Sequence, residues 1–451
     1  MPKKKTALTI EERLQQALVP AEEQPYEVPE NWVWVRLIGN VNSCLDGYRK
    51  PINSSERAKR VGKVPYYGAT GQVGWIDDYL TNEHLVLLGE DGAPFLDLLK
   101  DKAYIIFGEA WVNNHAHILK SYFGEIGNVF LMHYLNMVDY KDYVKGTTRL
   151  KLTQGSMQLM PFPLPPLSEQ QRIVERIEEL FAKLDEAKER LQEVADSFAV
   201  RKAAILHKAF TGELTKQWRW ENGVSDESWE EITWGSFIEK IEAGKNWNAL
   251  GRPPKNGEFG VVKVSAVTWG EFLEDESKTC TEESQWNEEK RISVGDFLFS
   301  RANTIQLVGN CVIVKDVKRK LMLSDKILRF SLSERVYDFF ALWYTRTSSY
   351  RKQIESVASG NQDGMRNISQ NNMKMIIFPL PTLPEQHEIV RLIDDLLARE
   401  RAAQQAAEQA LASIDLMKKS ILARAFRGEL GTNKASEASA LELLKQVLAE
   451  N

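Results

Sequence analysis

The chain has 451 residues, of which 43% are hydrophobic, and a formal net charge of −5 at pH 7. This composition is typical of a globular protein with more than one domain. No run of about 18 apolar residues occurs, which argues against a membrane-spanning helix. The three cysteines are far apart and match no zinc spacing, so we expect reduced thiols in a cytoplasmic protein.

The first domain is predicted to cover 29–162 and to mix strands with helices. Runs such as Val33–Arg36 and Leu85–Leu88 favour strands. A basic run leads into the segment 66–71, and basic side chains can neutralise phosphates while aromatic, Gly-rich turns approach base edges. The candidate nucleic-acid contacts of this domain are Arg49, Lys50, Lys59, Arg60, Lys63, Tyr66, Tyr67, Thr70, Asn114, Thr147 and Arg149.

Two other interpretations of these residues stay open. The basic run also fits a solvated surface loop. His115 and His117 could form a metal pair, but no third ligand lies near them in the sequence. We favour a loop held by Asn and His hydrogen bonds, and we assign no metal ligand.

The next segment, 163–216, is predicted to contain one long helix at 168–211. Ser168, with Gln171 three residues later, suits the start of a helix, and Gly212 suits its end. Apolar residues from Ile173 to Phe198 recur at alternating steps of four and three. This spacing is a heptad seam, which indicates a coiled coil.

The second domain is predicted to cover 217–378, with strands at Val261–Ser265 and Phe297–Ser300. Arg pairs well with guanine and Asn with adenine in the major groove, so we favour Arg301 and Asn303 for base readout. The two domain interiors, 32–160 and 229–376, each carry a net charge of about +1. The candidate contacts of this domain are Lys245, Asn246, Arg252, Lys263, Ser265, Arg301, Asn303, Thr304, Asn361, Gln362 and Arg366.

The segment 379–430 repeats the earlier helix. Pro163–Gln170 recurs as Pro379–Gln386, and Ile205–Leu214 recurs as Ile421–Leu430 at the same displacement. Glu400 interrupts its seam, and alanines replace several of the large residues. Because a seam of large residues can approach an alanine-rich seam closely, we predict that the two helices pack antiparallel about a pseudo-twofold axis. About 43 helical residues span roughly 65 Å, or about 19 base pairs. A coiled coil without a measuring role is the alternative.

Motifs of common catalytic sites are absent. The sequence has no Walker A motif, no dinucleotide-binding glycine motif and no nucleophile elbow, and its six histidines form no evident catalytic set. We therefore favour a binding subunit. Two alternatives stay open: a coiled-coil scaffold whose globular domains bind protein or RNA, and an enzyme with an unrecognised site.

The repeated helices resemble those of a known family. Both begin with Pro-Leu-Pro-x-Leu-x-Glu-Gln and end with Ala-Phe-x-Gly-Glu-Leu, and they separate two divergent domains. This arrangement is similar to the specificity subunit of type I restriction-modification systems, and Trp32 and Trp229 match that family's tryptophan near the start of each domain. The resemblance implies an α+β fold with two mixed α/β target recognition domains, separated by two long helices that form an antiparallel coiled coil.

The resemblance also implies how such a chain acts. Each recognition domain would read one half of a bipartite, asymmetric site in double-stranded DNA, and the antiparallel coiled coil would set the length of the unread spacer between the two halves. The helices at 168–211 and 384–427, with the tail 1–28 and the helical tail 431–451, would dock two methyltransferase subunits that use S-adenosylmethionine for adenine-N6 methylation. Two restriction subunits would add ATP- and Mg-dependent translocation and cleavage. This chain itself would hold no cofactor, no metal and no catalytic residue.

Overall fold

The computed structural model describes residues 9–362 and 365–450. The chain forms two compact units: unit 1 is Met1–Gln192 with Glu408–Asn451, and unit 2 is Glu193–Ala407. The helices are α1 (Ile10–Ala17), α2 (Ser54–Arg57), α3 (Gly124–Met137), α4 (Gln154–Leu159), α5 (Leu167–Asp196), α6 (Phe198–Phe210), α7 (Lys216–Asn222), α8 (Asp338–Tyr344), α9 (Ser348–Val357), α10 (Gln370–Lys374), α11 (Leu383–Ala425) and α12 (Ala440–Glu450).

Unit 1 contains two four-stranded sheets, ordered β2-β9-β6-β7 and β4-β3-β8-β5, and the strand pairs β1-β12 and β10-β11. Its strands are β1 (Val33–Arg36), β2 (Asn42–Cys44), β3 (Val64–Gly68), β4 (Gly71–Ile76), β5 (Thr81–Asn82), β6 (Leu85–Gly89), β7 (Ala103–Ile106), β8 (Glu109–Val112), β9 (Ala116–Ser121), β10 (Val144–Lys145), β11 (Lys151–Leu152) and β12 (Pro161–Leu164).

Unit 2 contains the sheets β14-β22-β18-β20, β15-β17-β16-β21 and β19-β24-β23, and the pair β13-β25. Its strands are β13 (Glu230–Thr233), β14 (Ile238–Ala243), β15 (Ala249–Leu250), β16 (Phe259–Val262), β17 (Ser277–Cys280), β18 (Phe297–Ser300), β19 (Ala302–Asn303), β20 (Cys311–Ile313), β21 (Lys320–Met322), β22 (Ile327–Leu332), β23 (Ser359–Gln362), β24 (Met365–Asn367) and β25 (Ile377–Leu380).

The two units repeat one sheet and diverge in the other. In β2-β9-β6-β7 and in β14-β22-β18-β20, the first strand along the chain lies at the edge beside the last one. The second sheets are ordered differently, and the single helix α3 of unit 1 stands where unit 2 has α8 and α9. The predicted α+β class with two related but divergent domains is therefore confirmed.

Each domain begins and ends in the same place. β1 pairs antiparallel with β12, with Val33 opposite Leu164, and β13 pairs antiparallel with β25, with Glu230 opposite Leu380. Both exit strands lead within a few residues into a long helix. The predicted strands at Val33–Arg36 and Phe297–Ser300 are confirmed, whereas the run at Val261–Ser265 leaves β16 after Val262 and continues as a 3-10 turn.

The ends of the long helices are anchored in the domain cores. Gly212 and Gly428, with φ of 78° and 73°, follow α6 and α11 at the predicted stops. Phe426, just after α11, packs against Phe130 and Tyr134 in unit 1, with ring centroids 5.0 and 5.2 Å apart. Phe210, the last residue of α6, packs in the same way against α8 in unit 2. The repeated Ala-Phe-x-Gly-Glu-Leu motif therefore joins each helix end to a globular core.

The predicted single helix at 168–211 is wrong at one point, because the structure divides it at Ser197 into α5 and α6. Ser197 Oγ donates to the Glu193 carbonyl oxygen at 2.7 Å, and the Arg201 guanidinium donates to the Val194 carbonyl oxygen at 3.1 Å. Side chains that bond helix carbonyls bend or interrupt a helix. Arg201 also pairs with Glu400, which accounts for the acidic residue in the seam of the second helix.

The helices pair antiparallel within each unit. In unit 1, Lys188 pairs with Asp415 at 3.4 Å and Asp185 pairs with Lys418 at 2.6 Å, so later residues of α5 meet earlier residues of α11. In unit 2, Arg201 of α6 pairs with Glu400, and Thr215, which follows α6, bonds Glu385 at the start of α11, so later residues again meet earlier ones. The seam of α5 is fully buried only near its start, as at Ile173 and Ile177, whereas Val194 is exposed. In α11, burial extends further along the helix, because Ala407 and Ile414 are each only 3% exposed.

Candidate nucleic-acid interface

Two predicted loops of unit 1 lie side by side. The β3–β4 hairpin carries Thr70 at its turn, and the β8–β9 loop carries Asn114; both residues are exposed. The Asn113 N–H donates to the Tyr67 carbonyl oxygen at 3.1 Å, and Tyr104 Oη donates to the Gly68 carbonyl oxygen at 2.6 Å. The first bond holds the two loops together and the second ties the hairpin to β7, while Thr70 and Asn114 remain exposed to a ligand.

A third segment, 147–149, is joined to the β8–β9 loop through Asp91. The Asp91 carboxylate contacts His115 Nδ1 at 2.6 Å and accepts from the Arg149 guanidinium at 2.7 Å. The Arg149 side chain is 59% exposed and Thr147 is exposed in the same segment. The structure therefore brings together Thr70, Asn114, Thr147 and Arg149, which are distant in the sequence.

Arg49 occupies a different environment. Its guanidinium pairs with Asp46 at 2.9 Å and with Glu90, and only 16% of its side chain is exposed. Glu90 also pairs with Lys151 at 2.8 Å. This internal network favours a structural role for Arg49 over contact with a phosphate.

The group Cys44, Asp46 and His117 has the composition of a metal site, and its ligand atoms lie within 4.8 Å of one another. Both ring nitrogens of His117 are already bonded, to Asp46 Oδ2 at 2.7 Å and to the Leu152 carbonyl oxygen at 2.9 Å. Burial, with the nearby Asp46 carboxylate, raises the pKa of the Cys44 thiol to about 12, which disfavours the thiolate that binds metals. The geometry thus favours a hydrogen-bonded network.

The basic run divides into engaged and free side chains. Arg60 lies 4.5 Å from the Trp111 ring centroid and pairs with Asp77 at 2.6 Å, and Lys50 lies 5.9 Å from the same ring. Tyr66 is buried in the core, with only 2% exposed. Lys59 and Lys63 are exposed, and among the described residues neither has an ion-pair partner. These two lysines are the best placed of the run to meet a phosphate.

In unit 2, two separate predicted clusters meet in one small sheet. Asn303 of β19 lies opposite Arg366 of β24, which pairs in turn with β23. Asn303 Nδ2 donates to Thr268 Oγ1 at 3.2 Å, and its Oδ1 accepts from the Thr304 N–H at 2.8 Å. Arg366 donates to the Gly360 carbonyl oxygen at 2.7 Å. The side chains of Asn361 and Gln362, also predicted here, lie outside the described residues.

Arg301 precedes this sheet and differs from its neighbours. Its backbone N–H donates to the Lys326 carbonyl oxygen, and its own carbonyl oxygen accepts from the Ile368 N–H. The half-buried guanidinium has no hydrogen-bond or ion-pair partner within 9–362 and 365–450. Arg301 is therefore held by its backbone, with a side chain free to bind an external acceptor.

The other predicted contacts of unit 2 lie on or beside the sheet β15-β17-β16-β21. Arg252 makes two bonds to Glu258, at 2.6 and 2.7 Å, and holds the pKa of that carboxyl at about 2. Lys263 and Ser265 both contact Glu276, at 3.6 and 2.5 Å. Lys245 and Asn246, by contrast, are exposed.

The match to known proteins covers both domains. The model of the type I restriction modification DNA specificity domain matches residues 29–196 and 226–410. The chain belongs to this specificity family. The curated relatives are specificity subunits, and our prediction that this chain is a non-catalytic specificity subunit is confirmed by that kinship.

The specificity subunit is similar to several curated relatives. It is 27% identical over 341 residues to the type I restriction enzyme EcoKI specificity subunit of Escherichia coli (strain K12), covering 71% of each chain. It is 22% identical over 457 residues to the EcoDI specificity subunit of Escherichia coli, covering 94% of this chain and 96% of that one. The likeness therefore extends beyond the repeated helices.

A solved structure shares the fold. The HsdS subunit from Thermoanaerobacter tengcongensis superposes with a TM-score of 0.59 at 16% identity, over 90% of this chain and 100% of that chain. None of the described helices of the specificity subunit combines the length and the apolar character needed to cross a membrane.

Two kinds of residue escaped the sequence analysis. Trp269 follows Thr268, the partner of Asn303, and is 67% exposed. Exposure of a large aromatic side chain beside candidate contacts points to a binding surface, but no sequence motif reveals that this tryptophan is exposed. Glu169 and Glu385, in the repeated Glu-Gln of the helix starts, are fully buried, although acidic residues at a helix start are usually exposed.

Proposed function

We propose that the specificity subunit reads a bipartite, asymmetric site in double-stranded DNA, one half-site for each target recognition domain. The observation that carries this proposal is that the two units repeat one sheet but present different polar side chains. Unit 1 offers Thr70, Asn114 and Arg149, whereas unit 2 offers Arg301 and the sheet that includes Arg366. Different readers on a repeated scaffold suit two unlike half-sites.

The helices α5, α6 and α11 are proposed to set the unread spacer and to dock two methyltransferase subunits. Apolar side chains that remain exposed on these helices support docking, among them Val200 at 71%, Leu416 at 59% and Met417 at 48%. The apolar face of α12 contributes less, because Leu444 and Leu448 already lie in the core of unit 1.

The chemistry is proposed to lie on the partners. The methyltransferase subunits would bind S-adenosylmethionine and methylate adenine at N6, and two restriction subunits would use ATP and Mg for translocation and cleavage. The complex would act on DNA in the cytoplasm. This division of labour is consistent with the absence of recognised catalytic motifs in the chain.

The test uses the full chain assembled with a methyltransferase subunit from the same source. We expect sequence-selective duplex binding that weakens steeply as salt rises, because phosphate contacts release counterions. We also expect N6-methyladenine at one bipartite motif in cells that express the pair. Binding that is equal for all duplexes, or that prefers RNA or protein, would contradict the proposal.

A further inference from the structure

A buried carboxylate gathers three segments in unit 1. Glu169, in the first turn of α5, accepts from Trp32 Nε1 at 2.8 Å and from Thr432 Oγ1 at 3.3 Å. Trp32 directly precedes β1, and Thr432 lies in the segment that follows α11. Arg172 adds to this junction by donating to the Thr432 carbonyl oxygen at 3.0 Å. We call Trp32, Glu169 and Thr432 closure cluster 1.

Unit 2 contains the equivalent junction. Glu385, in the first turn of α11, accepts from Thr215 Oγ1 at 2.6 Å, from Arg219 Nη1 at 2.7 Å and from Trp229 Nε1 at 3.1 Å. Trp229 directly precedes β13, and Thr215 and Arg219 belong to the segment that follows α6. We call Trp229, Glu385, Thr215 and Arg219 closure cluster 2.

Helix capping or the helix dipole does not account for these carboxylates. An acidic residue in the first turn is stabilising when exposed, but both side chains are fully buried. Burying a carboxylate is costly unless hydrogen bonds compensate. The donors come from outside the carboxylate's own helix in each case, so the bonds tie that helix to two other segments.

The connections cross between the two helices. In cluster 1 the start of α5 is joined to the segment after α11, and in cluster 2 the start of α11 is joined to the segment after α6. Two antiparallel helices joined in this way cannot slide along each other without breaking buried hydrogen bonds. One continuous helix, Leu383–Ala425, supplies an end to each cluster.

We propose that Glu169 and Glu385 are positioning residues that fix the register of the helix pair and thereby the spacer length that the complex accepts. Neither carboxylate touches DNA in this proposal, which rests on the proposed function. Each acts through the segments that it joins, and removing one should widen the range of accepted spacers while the bases read in each half-site stay the same.

The two clusters differ in what can replace the carboxylate. Glu169 accepts from an indole and a hydroxyl, which are neutral, and burial raises the pKa of its carboxyl. The two donors bond different oxygens of the carboxylate, so a glutamine can accept from the indole through its Oε1 and donate through its Nε2 to the Thr432 hydroxyl, which can also act as an acceptor. Glu385 also pairs with Arg219, whose side chain is only 7% exposed, so a glutamine there removes the buried carboxylate partner and leaves the guanidinium with only the exposed Asp226 carboxylate at 2.9 Å. Rescue by glutamine is expected at position 169 and not at position 385.

The experiment measures binding of the full chain, with its methyltransferase partner, to duplexes that keep both half-sites and vary the spacer by one or two base pairs. The variants are Glu169→Ala, Glu169→Gln, Glu385→Ala and Glu385→Gln, with the milder Thr432→Val and Thr215→Val. We expect discrimination between the native and altered spacers to fall about tenfold in the alanine variants, the effect of losing one buried charge-assisted bond. Glu169→Gln should keep native discrimination.

Matched controls remove exposed carboxylates from the same helices. Among the described residues, Glu179 and Asp395 form ion pairs only within their own helix, and Glu179→Ala and Asp395→Ala should leave spacer discrimination unchanged. Because Arg172 reinforces cluster 1, the double variant Glu169→Ala/Arg172→Ala should show the larger loss. Retained half-site base preference serves as the measure of folded domains in every variant.

The outcomes separate the two proposals. If the unchanged chain shows no half-site or spacer preference, the proposed function fails. If it shows both, and Glu169→Ala, Glu385→Ala, Thr432→Val and Thr215→Val keep native spacer discrimination, the positioning role is refuted. If Thr432→Val and Thr215→Val lose half-site base preference as well as spacer discrimination, the positioning role is also refuted, because the clusters would then only support domain folding.

Discussion

Arg301→Ala tests the base-reading role of unit 2 with little disturbance of the fold. The guanidinium has no internal partner among the described residues, so its removal leaves no buried group unsatisfied. The backbone of Arg301 stays bonded to Lys326 and Ile368 in the variant, because those bonds use main-chain atoms. The substitution therefore removes an external donor pair and little else.

The expected size follows from the contact that the side chain could make. A bidentate pair between Arg and guanine discriminates against a wrong base by about 1–3 kcal/mol, which is roughly 5- to 150-fold in affinity. We expect this loss at one position of one half-site. The free energy of unfolding should change by no more than about 1 kcal/mol, as is usual where no special interaction is lost.

The assay compares methylation or binding across duplexes that vary every position of both half-sites. Arg301→Ala should relax one position of one half-site and leave the other half-site intact. Arg329→Ala is the comparator: its guanidinium pairs with Glu242 and Asp296, and breaking a buried pair costs about 3–5 kcal/mol. Arg329→Ala should therefore destabilise the fold instead of changing the preference at one base position. If Arg301→Ala is destabilised to the same extent, or if it weakens binding to all duplexes equally, the base-reading role is refuted.

Three further predictions concern the helices and the stability of each unit. Insertion of one heptad within 168–211 should change the spacer in the methylated motif, and an unchanged spacer would contradict a measuring role. Burial raises the pKa of Glu242, but Arg329 and nearby lysines lower it more and hold it at about 2. The stability contributed by this carboxylate should therefore be lost as the pH falls from about 4.5 towards 2. Thermal unfolding at different pH values would measure this loss, and Glu242→Gln should make the melting temperature less dependent on pH. A Cβ at Gly428 would lie 2.4 Å from Pro29 Cγ, whereas one at Gly431 would meet nothing within 4 Å, and both residues have positive φ. Gly428→Ala should therefore lower the melting temperature more than Gly431→Ala, and equal effects would show that backbone strain alone matters.

The frame of the molecule could be predicted because it depends on local patterns. Glycine at 212 and 428 and the heptad spacing after Ile173 specify helices and their ends through backbone geometry. The interruption at Ser197 could not be predicted. It depends on Arg201 reaching both Glu400 and a helix carbonyl, and the seam contains no glycine or proline there to announce it.

The candidate contacts were only partly predictable, because composition does not reveal which charges are already paired. Arg49 and Arg60 belong to the same basic run as Lys59, yet ion pairs engage both arginines and leave the lysine exposed. Conversely, Asn303 and Arg366 are far apart in the sequence, and only the pairing of β19 with β24 brings them opposite each other. Long-range strand pairing decides such meetings, and no local pattern encodes it.

Because β1 pairs with β12 and β13 pairs with β25, the first and last strands of each domain lie side by side. Segments between those strands that do not pack on a helix end, unlike α3 and α8, could change in length while the strand pair still leads the chain into the same helix. Under the proposed function, such a change would alter one half of the recognition sequence and leave the helices proposed to dock the partner subunits unchanged. The two short strand pairs therefore mark where each domain is inserted into the helical frame.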